Sequence, residues 1–303
     1  MTSMIKHSPE VADALASKHP VVALESTVIA HGLPHPQNIE TAIKCEAAVR
    51  ANGAVPATIA VFGGEFHVGL DTSQIEQLAT AKNIRKISRR DLPIAVANRL
   101  NCATTVATTA LIAHRAGIKV FATGGIGGVH RGFLDDISAD LPELAQTPIT
   151  VVCSGAKIVL DLDRTREWLE TNGVTILGWQ CDELPAFYSR TSGLAVDERV
   201  ENAAEAAAVA RARDMLDLKN SILVTVPIPA EYEIERGELE GILAESLMLA
   251  SKQGVRGKET TPFLLTQLSE RSQGRTLAAN IALLENNARV AAKIAKCLSE
   301  PPA

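Results

Sequence analysis

The chain alternates between short apolar runs and stretches with helical period. Runs rich in Val, Ile, Leu and Thr lie at 21–29 (VVALESTVI), 57–63 (ATIAVFG), 119–125 (KVFATGG), 149–156 (ITVVCSGA), 174–180 (VTILGWQ) and 221–229 (SILVTVPIP). Their continuous apolar character is that of strands buried on both faces. Between them, 37–50 places Ile39, Ile43, Ala47 and Arg50 at three- and four-residue steps, with Gly53 as a stop. The stretches 105–116 and 163–171 end the same way, on Gly117 and Gly173, as helices that close on a left-handed residue do. Farther on, 197–218 reads as an alanine-rich amphipathic helix. A further helix runs from Pro229 to about Gln253, and a long one covers 276–298. Thr260, Thr261 and Pro262 open another that breaks at Gly274.

Strands alternating with helices predict an α/β fold: a largely parallel central sheet covered by helices on both faces, with additional C-terminal helices. Neither a tandem repeat nor a low-complexity linker interrupts the pattern. A single domain over 1–303 is expected, with residues 1–20 peripheral to it.

Composition narrows the class. The 303 residues are 46% hydrophobic and 21% charged, which excludes disorder, collagen and coiled coil. A net charge of −5 leaves no basic footprint for nucleic acid. No apolar run reaches the roughly 18 residues of a membrane span, and Glu10 and Asp13 interrupt the place of a secretory leader. Five widely spaced cysteines without a C-x-x-C pair argue against disulfides and structural zinc. A cytoplasmic protein is expected.

Several polar residues stand where chemistry would be placed. Glu25 interrupts an apolar run, where a carboxylate must be paired, protonated or functional; otherwise it lies just past the strand's end, bonded to nearby backbone. His31 and His35 follow in a proline-bounded loop. The glycine-rich 124–132 (GGIGGVHRG) lets backbone N–H groups approach an anion, or serves only as a tight turn. It matches neither the dinucleotide fingerprint nor a P-loop. Asp136 and Asp140 are four apart, hence on one face if helical, and one carboxylate with waters suits a hard cation. Alternatively Asp140 caps a helix, with Glu143 completing a capping box. Lys157 ends one apolar run and opens the next helix, at the strand end where open α/β sheets bind ligands. Desolvated there, it would react with a carbonyl, or serve as a plain anion contact. Arg85, Lys86, Arg89 and Arg90 form a cluster suited to phosphate, or a solvated charged face.

Together these motifs resemble the pseudouridine-5′-phosphate glycosidase family. ESTVIAHGLPHPQN, SRRDLP, NCATTVA, FATGGIGGVHRG, DISADL, VVCSGAK, LPAFYSRTSG, VPIP and ETTPFLL…AANIALLENNA carry the resemblance, collinear from about Val21 to Ala292. It implies reversible cleavage of the C–C glycosidic bond between uracil and ribose 5-phosphate, with a divalent cation, usually Mn²⁺, in a homotrimer. By motif, Lys157 is the lysine that forms an imine with ring-opened sugar, and Glu25 is the acid. Asp136 is the metal ligand. Ser138, Ala139 and Asp140 line the substrate site, and Lys86, Val106, Thr123, His130 and Asn280 match further substrate-contacting positions. The small-molecule partners implied are ribose 5-phosphate and a nucleobase.

Two departures stand out. Only Phe133, Leu134 and Asp135 lie between HRG and DIS, where the family carries a longer, more polar insert, which bears on base identity. Cys102 stands where the family often has glycine. Two other functions compete: a C-nucleoside 5′-phosphate synthase joining ribose 5-phosphate to a base other than uracil, and a non-catalytic sugar-phosphate-binding protein. The second would tolerate loss of Glu25 or Lys157, and both are present.

Overall fold

The structure is a computed structural model that describes residues 4–131, 136–255 and 260–300. Its strands are β1 (Ile5–His7), β2 (Val21–Leu24), β3 (Val55–Phe62), β4 (Glu65–Val68), β5 (Arg85–Ile87), β6 (Cys102–Thr104), β7 (Val120–Ala122), β8 (Val129–His130), β9 (Thr150–Cys153), β10 (Leu160–Asp161), β11 (Thr175–Trp179), β12 (Glu198–Val200) and β13 (Ile222–Thr225). The helices are α1 (Pro9–Ala16), α2 (Gln37–Ala51), α3 (Thr72–Thr80), α4 (Leu92–Ala97), α5 (Val106–Arg115), α6 (Asp140–Leu144), α7 (Leu162–Thr171), α8 (Ala203–Met215), α9 (Arg236–Lys252), α10 (Thr260–Arg271) and α11 (Arg275–Ser299).

The order β3-β2-β7-β9-β13-β11-β12 is parallel throughout. Every residue of β2, β9 and β13 is buried, so the sheet centre is covered on both faces, as its apolar runs predict. β3 is long enough to serve two sheets. Its first half pairs with β2, while its second half pairs antiparallel with β4 and β6. Residues 5–16 are not peripheral: β1 pairs with β4, and Val11 of α1 is fully buried.

Several boundaries move for local reasons. The 21–29 run stops as a strand at Leu24 because Ser26 and Thr27 turn toward β6. The Thr104 N–H donates to Ser26 Oγ at 2.9 Å, and the Thr27 hydroxyl donates to the Thr104 carbonyl at 2.8 Å. Residues Val28–Gly32 then form one π-helical turn, a feature that often marks a functional site. The 197–218 helix begins only at Ala203, where Asn202 caps it by accepting from Ala204 and Glu205 N–H groups. Residues Glu198–Val200 are instead an edge strand on β11. After Pro229 a single 3-10 turn intervenes before α9 starts at Arg236.

The carboxyl ends of β2, β7 and β9 converge, as a ligand site in an open parallel sheet requires. Past the strands, the β7 and β9 chains continue to pair. Ser154 N–H donates to Gly124 O, Ile126 N–H to Gly155 O and Lys157 N–H to Ile126 O, at 2.9, 3.0 and 3.1 Å. Gly155 makes this possible: its φ is +82°, and a β-carbon there would lie 2.2 Å from the Pro185 carbonyl. Helix α11 packs across β2, β7 and β9 beneath these turns.

Candidate active site

Glu25 is the first residue beyond β2, and only 8% of it is exposed. It accepts a short hydrogen bond from the Thr123 hydroxyl at the end of β7. Burial raises its pKa above the usual carboxylate range, and Asp140 adds to the rise. Lys157, the Thr123 hydrogen bond and Lys86 oppose it. The carboxyl is therefore paired and held toward its protonated form, with two lysines facing it.

Two cavity lobes meet at Glu25, Thr27, Lys86 and Lys157. The larger, about 1000 Å³ and open to solvent, is polar: Ser88, Arg90, Thr105, His130, Asp136 and Ser138 contribute to its wall. The smaller, about 510 Å³, is walled by Val28, Phe187, Leu265 and Leu284, with His31 and Asn280 as the polar groups it does not share with the larger. Lys157 is half-buried where the two join.

The motif residues thus come together from distant parts of the chain. Val106, His130, Asp136, Ser138, Ala139 and Asp140 line the polar lobe, and Asn280 the apolar one. Thr123 reaches the site through Glu25. Phe133, Leu134 and Asp135, the departure from the family pattern, lie outside the described residues. Cys102 is fully buried in β6, away from both lobes.

Four local expectations are corrected. Lys157 does not open a helix: it sits in the turn before the two-residue strand β10, and α7 begins at Leu162. Asp136 precedes α6, so it shares no helical face with Asp140. Asp140 is not a cap with Glu143 as its box partner. Its carboxylate accepts from Ala107 N–H at the start of α5 and from Gly127 N–H, at 2.9 and 2.8 Å. Glu143 is instead held by Arg89 and Thr147.

Fourth, the glycine-rich segment does not keep all its N–H groups free for an anion. Its Ile126, Gly127 and Val129 N–H groups donate to Gly155, Asp140 and Thr165. Glycine is required by contact: a β-carbon on Gly127 would lie 2.1 Å from Ser138 Oγ. We expect Gly127→Ala to displace Ser138 and Asp140 and to destabilise the fold by about 1–3 kcal/mol, measured by urea unfolding; an unchanged midpoint would refute that close packing. Of the basic cluster, Lys86 and Arg90 reach the cavity, whereas Arg85 pairs with Asp91 and Arg89 with Glu143.

Sequence reasoning passed over Asn287. It is fully buried in α11, and its amide donates to the Thr123 carbonyl at 2.9 Å. The ENNA stretch held the signal, an amide on the same helical face as Asn280 and Leu284.

A family profile described as Indigoidine synthase A like protein matches residues 10–297. A pseudouridine-5′-phosphate glycosidase of Caldanaerobacter subterraneus subsp. tengcongensis is 54% identical over 99% of this chain and 98% of its own. That of Paracoccus denitrificans is also 54% identical, over 99% of this chain and all of its own. The chain belongs to the pseudouridine-5′-phosphate glycosidase family. A solved prealnumycin C-glycosynthase, in complex with ribulose 5-phosphate, superposes with a TM-score of 0.90 at 42% identity, covering 97% of each chain. An indigoidine synthase A-like protein of Thermotoga maritima gives 0.90 at 38%, covering 98% of this chain and 97% of its own. As a member of the glycosidase family, the chain is an enzyme acting on the C-glycosidic bond.

Proposed function

We propose that this protein reversibly cleaves pseudouridine 5′-phosphate to uracil and ribose 5-phosphate through a covalent lysine intermediate. The observation that carries this reading is the meeting of Glu25 and Lys157 at the junction of a polar and an apolar lobe. Lys86, Arg90 and Ser88 supply cationic and hydroxyl groups for a phosphate, with the start of α5 at Val106 beside them. The apolar lobe, with one amide from Asn280, suits a flat heterocycle that needs both stacking surface and a hydrogen bond.

The chemistry needs both residues because the leaving atom is carbon. Glu25 gives its proton to the ring oxygen O4′ as Lys157 Nζ bonds to C1′, and the ring opens. The Glu25 carboxylate so formed takes the proton that the new secondary ammonium must lose and gives it to uracil C5. The nitrogen lone pair forms the C1′=N imine as the C1′–C5 bond breaks, and uracil leaves. Water hydrolyses the imine, returning the amine and ribose 5-phosphate. Cys153 is no rival nucleophile: it is fully buried, and burial pushes its thiol up to about 12. The C-glycosynthase neighbour's ligand supports an open-chain intermediate, since ribulose 5-phosphate has no free 5-hydroxyl with which to close a furanose ring.

A divalent cation, Mn²⁺ by the family resemblance, fits Asp136 as its one protein carboxylate, with retained waters completing its shell. That carboxylate is 42% exposed at the polar lobe. Among the described residues no group of three His, Cys, Asp or Glu forms an all-protein cage, and a hard cation that keeps its waters needs none. Bound there, the ion would supply charge and ordered water beside the sugar phosphate. A homotrimer and a cytoplasmic setting belong to the same proposal; the five free cysteines suit a reducing compartment. No described helix is long and apolar enough to cross a membrane.

The C-glycosynthase neighbour favours one second reading, synthesis of a C-nucleotide from another base. Incubation with Mn²⁺, ribose 5-phosphate and uracil, followed by mass spectrometry, decides between them. Pseudouridine 5′-phosphate is the expected product. A sugar adduct on Lys157 without that product would point to another base. Neither product nor adduct would defeat both readings.

A further inference from the structure

We infer that Asn287 is a positioning residue for the bond-breaking step, holding the turns after β7 and β9 in the register that brings Thr123, Glu25 and Lys157 to one cavity. The inference rests on the reaction proposed above. It starts from a polar side chain the mechanism does not use: Asn287 is 0% exposed and lines neither lobe.

Its amide nitrogen lies 2.9 Å from the Thr123 carbonyl, 3.4 Å from the Gly124 carbonyl and 3.1 Å from Ser154 Oγ. These groups sit where the parallel sheet ends and its regular hydrogen bonds run out. Thr123 already gives its N–H to Val152 and its hydroxyl to Glu25. Asn287 takes its carbonyl, so every polar group of Thr123 is held. From that anchor the two turns zip together through Gly124–Ser154, Ile126–Gly155 and Ile126–Lys157 backbone bonds. The acid's partner and the nucleophile are thus tied to one another, and Asn287 ties both to α11.

Packing makes the helix's approach obligatory. A β-carbon on Gly124 would lie 3.1 Å from Leu283 and 3.2 Å from Leu284. The same face presents Leu284 and Asn280 to the apolar lobe. One helix therefore carries a wall of that lobe and the clamp on the catalytic turns. Releasing the clamp leaves the proposed phosphate-binding groups of the polar lobe in place, because Lys86 sits on β5 and Ser88 and Arg90 on the 3-10 turn after it. Loss should therefore fall on kcat rather than KM.

The test is Asn287→Leu, which keeps the volume and removes the hydrogen bonds, beside Asn287→Asp, Thr123→Val and the double variant Asn287→Leu/Thr123→Val. For Asn287→Leu we expect kcat for pseudouridine 5′-phosphate cleavage to fall about 10- to 100-fold, with KM within about twofold of the parent. The double variant should lose less than the product of the two single losses, since part of the effect of Asn287 passes through the placement of the Thr123 hydroxyl. Asn287→Asp keeps shape and an acceptor but loses the donor, so it should not rescue. Amide exchange by mass spectrometry should quicken in 123–128 and 154–157 while the remaining protected segments hold. Unchanged kcat, a matching rise in KM, additive losses or unchanged exchange in those turns would each overturn the inference. The exchange readout needs no turnover, so an inactive parent enzyme would defeat the proposed reaction and still decide the clamp.

Discussion

Lys157→Ala should lower the rate of C–C cleavage by about 10⁴-fold or more and abolish any adduct trapped by borohydride in the presence of ribose 5-phosphate. The size follows from the step it removes. Without the amine, C1′ has no nitrogen lone pair to form the imine, and the electrons of the C1′–C5 bond have no driving partner. Phosphate binding should persist, because Lys86, Ser88 and Arg90 lie elsewhere on the polar lobe. Charge alone is a confounder: Lys157 is the largest influence lowering the Glu25 pKa, against the dominant effect of burial. Lys157→Arg separates the two, since it keeps a cation and cannot form the imine. Activity in Lys157→Arg within tenfold of the parent would sink the covalent role.

Glu25→Gln should also remove cleavage, by about 10²- to 10⁴-fold, the usual span for a positioned acid or base, and it should make the folded protein more stable at neutral pH. The sign follows from the direction of the shift. Burial raises the folded pKa of Glu25 above its unfolded value of 4.5, so folding favours the protonated form. Its contribution to stability is fully present below the unfolded pKa and fades as pH rises through the folded one. Glutamine copies the neutral acid and still accepts from Thr123. Thermal melts of the variant and parent should therefore coincide near pH 4 and separate toward pH 8, with the variant higher. Parent activity should decline over the window in which Glu25 ionises. A variant less stable than the parent at pH 8 would mean that Lys157 and Lys86 outweigh the cost of burial.

Much of this centre was legible in the order of residues along the chain. Apolar runs without alternation gave buried parallel strands, and the motifs at 25, 86, 106, 130, 136–140, 157 and 280 meet around one cavity. What escaped was set by contacts between segments far apart. Nothing near Asp140 announces that its carboxylate is taken by Ala107 and Gly127; a cap was the natural local reading. Glycines at 124–128 look like an anion loop by composition, and only the approach of Ser138 and Thr165 shows that they are demanded by packing. Strand ends were misplaced where hydroxyls turn the backbone, as Ser26 and Thr27 do toward Thr104. Asn287 was harder to read, because its amide is spent on the Thr123 and Gly124 carbonyls and on Ser154, far away in sequence.

The clamp on the catalytic turns lies on a helix that follows every described strand in the chain. Every strand of the sheet lies upstream of Arg275, and folding during translation proceeds from the amino-terminal side. In a nascent chain Thr123 and the Lys157 turn therefore await their anchor until the described strands have all been made. A chain cut ahead of Asn287 would lose the clamp together with α11 side chains buried against β2, β7 and β9, and with them the arrangement of Thr123 and Lys157.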